Sequence, residues 1–179
     1  LARAVQVNAG IWAKDLTVVT GANEVKALSA GSDASASRID GTGVAPRFAL
    51  DVAAVGGMYA GKIYLVGTEA GLGVNNRGTL AAQKGAWTLT TEGQLINTGR
   101  IQAQGDLTVH AAGSIENTGA SAVMSAQGNT AVQSFGSIAN TTGATLTAAG
   151  TLTAATQGTL DNTASTLAAN GAIQITAAA

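Results

Sequence analysis

One histidine, His110, and ten acidic side chains are all that this chain offers for acid–base chemistry. Enzymes that cleave polysaccharides need carboxylates gathered on one face, close enough to act on a single glycosidic bond. Beyond Arg100 the formal charges are Asp106, Glu116 and Asp161, on separate segments and with no basic residue to stabilise a developing anion. His110 follows Val109 in an alternating strand, so it is expected to face solvent. The absence of cysteine excludes disulfides and thiol–metal sites. Nine scattered lysines and arginines leave no footprint for a phosphate backbone. No catalytic, cofactor-binding or metal-ligating residue is therefore expected, and no nucleic-acid partner. No apolar run approaches the ~18 residues of a membrane helix, so no membrane insertion is expected either.

If these groups do no chemistry, the regularity around them calls for another explanation. Gly93-Gln94-Leu95-Ile96-Asn97-Thr98-Gly99 recurs as Gly113-Ser114-Ile115-Glu116-Asn117-Thr118-Gly119, and again around Ile138-Ala139-Asn140 and Leu160-Asp161-Asn162. A worn copy ends at Asn76. The column Asn76, Asn97, Asn117, Asn140 and Asn162 then repeats at about twenty-two residues, the step of a solenoid coil. Two further columns keep that step. One runs Leu80-x-Ala82, Ile101-x-Ala103, Met124-x-Ala126, Leu146-x-Ala148 and Leu167-x-Ala169. The other runs Trp87-x-Leu89, Leu107-x-Val109, Thr130-x-Val132, Leu152-x-Ala154 and Ile173-x-Ile175.

Apolar-x-apolar strands place alternate residues on one face. Three of them per period predict an all-β, right-handed parallel β-helix with three short strands per coil. A single coil buries too little to offset its own ordering, so coils must stack and take their hydrogen bonds from neighbours. The asparagines are expected to form a structural ladder of stacked amides. Trp87, in the column of Leu107, is expected to plug the core. Glu116 and Asp161 share an outward column two coils apart, roughly 10 Å by strand spacing.

The first seventy residues are strand-rich but do not keep the short repeat. Val5-x-Val7, Leu16-x-Val18, Phe48-x-Leu50-x-Val52 and Ile63-x-Leu65 read as half-buried strands, and Tyr64 is expected to be exposed. Gly56-Gly57-Met58-Tyr59 reads as a turn. Residues 29–47, holding the one proline, read as a loop outside the core. The chain opens on Leu1-Ala2-Arg3-Ala4-Val5, which reads as the middle of a strand and suggests an excised piece. Domains are expected at 1–71 and 72–179, the second being about five repeat coils.

The stretch from Asn8 through Gly10, Lys14, Leu16, Val19 and Gly21 to Asn23 resembles the carboxy-terminal half of the two-partner-secretion domain. Leu50-Asp51, then Gly56-Gly57-Met58-Tyr59 with Lys62, then Thr68-Glu69 and Gly71 continue the resemblance. That domain opens the filamentous haemagglutinin and contact-dependent growth-inhibition exoproteins, and the later coils resemble haemagglutinin repeats. The family's amino-terminal Asn-Pro motifs and signal peptide are absent from this sequence. The resemblance implies a secreted, surface-displayed adhesin or stalk that serves virulence or toxin delivery. It implies an outer-membrane two-partner-secretion transporter as partner, and a receptor or glycan on a host or target cell as a further one. Two other classes compete. A polysaccharide-processing enzyme on a β-helix would need clustered charges, and an ice- or surface-binding solenoid would need an unbroken outward threonine rank. The rank here reads Thr88, Thr108, Ala131, Thr153, Gln174.

Overall fold

The computed structural model describes residues 2–26 and 35–178. Its amino-terminal strands are β1 (Val5–Val7), β2 (Gly10–Thr20), β3 (Asn23–Lys26), β4 (Ser35–Arg38), β5 (Phe48–Val52) and β6 (Gly57–Gly67). Regular coils follow, each with three short strands whose apolar residues alternate inward. The first holds β7 (Gly73–Asn76), β8 (Thr79–Ala82) and β9 (Trp87–Thr91), the second β10 (Leu95–Asn97), β11 (Arg100–Ala103) and β12 (Leu107–Ala111). Next come β13 (Ile115–Thr118), β14 (Val123–Ala126) and β15 (Thr130–Ser134), then β16 (Ile138–Thr141), β17 (Thr145–Ala148) and β18 (Leu152–Thr156). The last coil has β19 (Leu160–Asp161), β20 (Thr166–Ala169) and β21 (Ile173–Thr176).

Each strand of these coils pairs in parallel with its counterpart one coil away, the β-solenoid that the repeats predict. Leu95 lies between Val74 and Ile115, and Ile138 between Ile115 and Leu160. Ile101 lies between Leu80 and Met124, and Leu107 between Trp87 and Thr130. Among the described residues the first strands of successive coils make a seven-stranded sheet. The second and third strands join into a twelve-stranded sheet because β6 serves both: Gly57–Ala60 pair with β8, and Ile63–Gly67 with β9. β2 follows β6 along its length, so these long strands turn a corner of the coil without a break.

Like residues stacked on like residues give one continuous core. Leu80, Leu95, Ile101 and Leu107 are fully buried, and so is Trp87, whose indole Nε1 has no hydrogen-bond partner. Tyr64 is half-exposed.

Three local expectations are corrected. Gly56-Gly57-Met58-Tyr59 is not a turn: β6 begins at Gly57 and Met58 is buried in the core. The glycine there serves close approach, because a Cβ on Gly56 would stand 2.2 Å from the Val7 carbonyl oxygen. Phe48 does not share the inward face with Leu50. A bulge between them puts both Ala49 and Leu50 inside and turns Phe48 outward. Within the segment read as a loop, β4 pairs antiparallel with β3, and residues 39–45 are exposed; positions 29–34 of that segment lie outside the described residues.

Candidate functional site

The asparagine column forms a chain of side-chain hydrogen bonds along the rod. Asn76 Nδ2 donates to Asn97 Oδ1, Asn97 to Asn117, Asn117 to Asn140 and Asn140 to Asn162, each at 2.7 Å. Nδ2 donates a second time to a backbone carbonyl of a following coil: Asn76 to Arg100, Asn97 to Val123, Asn117 to Thr145 and Asn140 to Thr166. The first four are buried, and Asn162 is exposed. A buried amide must find partners for its donors and acceptor or lose its hydration without return. Here the partners lie on adjoining coils, so the side chains fix the register between coils while satisfying themselves. Asn76 closes the upstream end by accepting from the Gly78 amide at 3.2 Å.

A second cluster lies where β2 and β6 end. Gly21 has φ +102, a left-handed turn that a side chain would strain. Asn23 Nδ2 then donates to the Thr20 carbonyl at 3.0 Å and the Gly21 carbonyl at 3.1 Å, and the Thr68 hydroxyl donates to Asn23 Oδ1. Beside it Arg3 Nε donates to Glu69 Oε2 at 2.9 Å, while Arg3 Nη1 donates to the Thr42 carbonyl at 2.8 Å. The Arg3 hydrogen bond holds the Glu69 carboxyl below the usual carboxylate range, and Glu69 in return raises Arg3. Arg3 thus joins the strand start, the end of β6 and the segment before β5.

The other residues of the resemblance are spread over the coil. Val19, Leu50 and Met58 are buried, and Leu16 is half-buried against the core. Gly10 lies under the Trp12 ring, and that ring, 74% exposed, stacks on Tyr59 with centroids 5.7 Å apart. Asn8, Lys14, Lys62 and Gly71 are exposed, the last with φ +79. Asp51 faces outward and accepts from Asn75 Nδ2 at 2.8 Å and from Arg77 at 3.2 Å.

Among the described residues the acid–base groups are not brought together. His110 is exposed beside Thr90 and Gln133. Asp106 accepts from the Asn129 amide at 2.7 Å, a turn contact. Glu116 and Asp161 are separated in their column by Ala139, so two coil spacings divide them. The outward rank Tyr64, Thr88, Thr108, Ala131, Thr153, Gln174 is interrupted.

Sequence reasoning missed a second polar column, at the corner after the third strand. Thr91, Ala111, Ser134 and Thr156 stack there. Thr91 Oγ1 donates to the Leu72 carbonyl at 3.2 Å, Ser134 Oγ to the Gly113 carbonyl at 2.8 Å, and Thr156 Oγ1 to the Gly136 carbonyl. Its signal was a small residue two places before each of Gly93, Gly113, Gly136 and Gly158.

Comparison with known proteins adds a family. The sequence model of the TPS secretion domain matches residues 1–97. "Toxin CdiA" of Yersinia pestis is 46% identical over 119 residues, which is 66% of this chain and 4% of that protein. "tRNA nuclease CdiA-2" of Burkholderia pseudomallei is 46% identical over 103 residues, 58% of this chain and 3% of its own length. "16S rRNA endonuclease CdiA" of Enterobacter cloacae is 44% identical over 112 residues, again 3% of its length. This chain therefore spans a few hundredths of the curated relatives it matches. No solved structure matches.

Proposed function

Because this chain belongs to the TPS secretion domain family, we propose that it carries a large exoprotein across the outer membrane and founds the shaft on which that protein is displayed. Proteins of this type are secreted and held at the bacterial surface. The partner is an outer-membrane two-partner-secretion transporter, and the coils beyond the matched segment begin a filament for adhesion or delivery.

The observation that supports the reading is continuity. β5 of the matched segment pairs with β7, β7 with β10, and the same sheet runs on to β19, so the secretion segment ends as the template for the repeats. A chain emerging from a pore gains a stable edge to fold on, and each coil stabilises the next. The nuclease activities named for the relatives are proposed to reside outside this segment, whose described residues hold no gathered set of acid–base groups to perform them.

Surface display of the full-length protein, coexpressed with its transporter, tests the assignment. Deleting residues 2–97 is expected to abolish display, whereas deleting an equal length of downstream repeats leaves it intact. Equal display of the two would overturn the reading. The purified chain is also expected to leave tRNA and acidic polysaccharides uncut.

A further inference from the structure

The outer face of the seven-stranded sheet carries a groove of about 520 Å³ between the amino-terminal coils. Its floor is the outward column Gln6, Asp51, Asn75 and Ile96, one residue from each of four neighbouring strands. Its upper wall exists because of the bulge in β5, which turns Phe48 out and carries Arg47 with it. The Arg47 guanidinium lies 5.3 Å from the Phe48 ring centre, and among the described residues it has no carboxylate partner. Asp51, by contrast, is held in place by Asn75 and Arg77, and its carboxylate keeps lone pairs open to the groove.

This combination is selective. A simple anion would be drawn to Arg47 but would leave the acceptor oxygens of Asp51, already paired with Arg77, unused. A neutral sugar would satisfy Asp51 with its hydroxyls but leave Arg47 unused. A ligand that carries a carboxylate and hydroxyl donors on the same ring answers both, and Phe48 and Ile96 give its C–H faces apolar surface. We propose that this groove binds a carboxylated saccharide, the acid group on Arg47 and ring hydroxyls on Asp51. The site goes beyond the export reading and does not depend on it.

Calorimetric titration of the purified chain with tetragalacturonate, maltotetraose and polyglutamate tests it. Saturable binding of tetragalacturonate alone is expected, weakened at least about tenfold by Arg47→Ala, since a charge-assisted contact is lost. Asp51→Asn separates recognition from plain attraction, because removing a negative charge tightens any merely electrostatic binding and weakens binding that uses the carboxylate as hydroxyl acceptor. Arg100→Ala, on another face, is expected to change nothing. No saturable binding, equal binding of polyglutamate, tighter binding by Asp51→Asn, or equal losses for Arg47→Ala and Arg100→Ala would each overturn the proposal. Arg47 is exposed, so its loss leaves the fold intact, and an unchanged unfolding midpoint verifies that in the same samples.

Discussion

The asparagines differ from the other polar residues of the repeats in being buried where most side chains are apolar. Asn97 donates to Asn117 at 2.7 Å and to the Gly99 and Val123 carbonyls at 3.1 and 3.3 Å, and it accepts from Asn76. Asn97→Asp would keep the shape but lose these donations and bury a charge, at a cost of about 3–5 kcal/mol. Asn162→Asp, at the exposed rung, should cost under about 1 kcal/mol. Chemical denaturation of the two variants measures the difference, and similar losses would show that the ladder contributes little. Glu69 makes a different prediction. Its folded carboxyl is held below its unfolded value by Arg3, so the stabilisation is complete above the unfolded value near pH 4.3. It is lost as pH falls through the lower folded value. Glu69→Gln should therefore unfold at a lower temperature than the parent at pH 7, with the gap closing toward pH 3; a constant gap would contradict the sign.

Strands were the most legible elements, for a physical reason. Their inward columns are set by period-two alternation, and the glycine heading the first and third strand of each coil fixes where alternation restarts. That register makes a further prediction: Ile138→Asp should cost at least about 3 kcal/mol, because the carboxylate would lie between Ile115 and Leu160. Glu116→Gln, one residue along the neighbouring strand and facing outward, should stay within about 0.5 kcal/mol. Urea midpoints distinguish them, and equal shifts would mean an inverted face. What sequence did not reveal breaks the alternation. The bulge at Phe48 and Ala49 looks like an ordinary alternating strand until the partner strand is seen, because a bulge is a relation between two strands. The Gly56-Gly57 pair reads as a turn by composition, yet Gly56 is required by the approach of the Val7 carbonyl, a contact 49 residues back in sequence, and Gly57 by the Tyr59 ring and the Thr79 carbonyl. The groove at Asp51 was invisible for the same reason, its parts coming from β1, β5, β7 and β10.

As a whole the described strands, the β3–β4 hairpin apart, pair only with neighbouring coils, so stability should vary along the axis. β10, β13 and β16 have neighbours on both sides and buried inward faces, while all four residues of β21 are exposed. Native-state hydrogen exchange should find the slowest amides in the former and the fastest in the latter; uniform protection would argue for a single cooperative unit.

The ladder also has a direction that the strands lack. Neighbouring strands exchange N–H and C=O groups both ways and their polarities largely cancel, whereas every asparagine from 76 to 140 gives its protons toward higher residue numbers. Amides aligned in this way polarise one another. At each step the coil already in place therefore presents an amide proton at a fixed position, and an arriving coil seats without loss only if it brings a side-chain oxygen to that point. A slip of one residue would turn the arriving asparagine to the outer face and leave that proton without its oxygen. The column thus acts as a reading frame, checked once per coil, and a chain fed out from one end meets that check in the order in which it emerges.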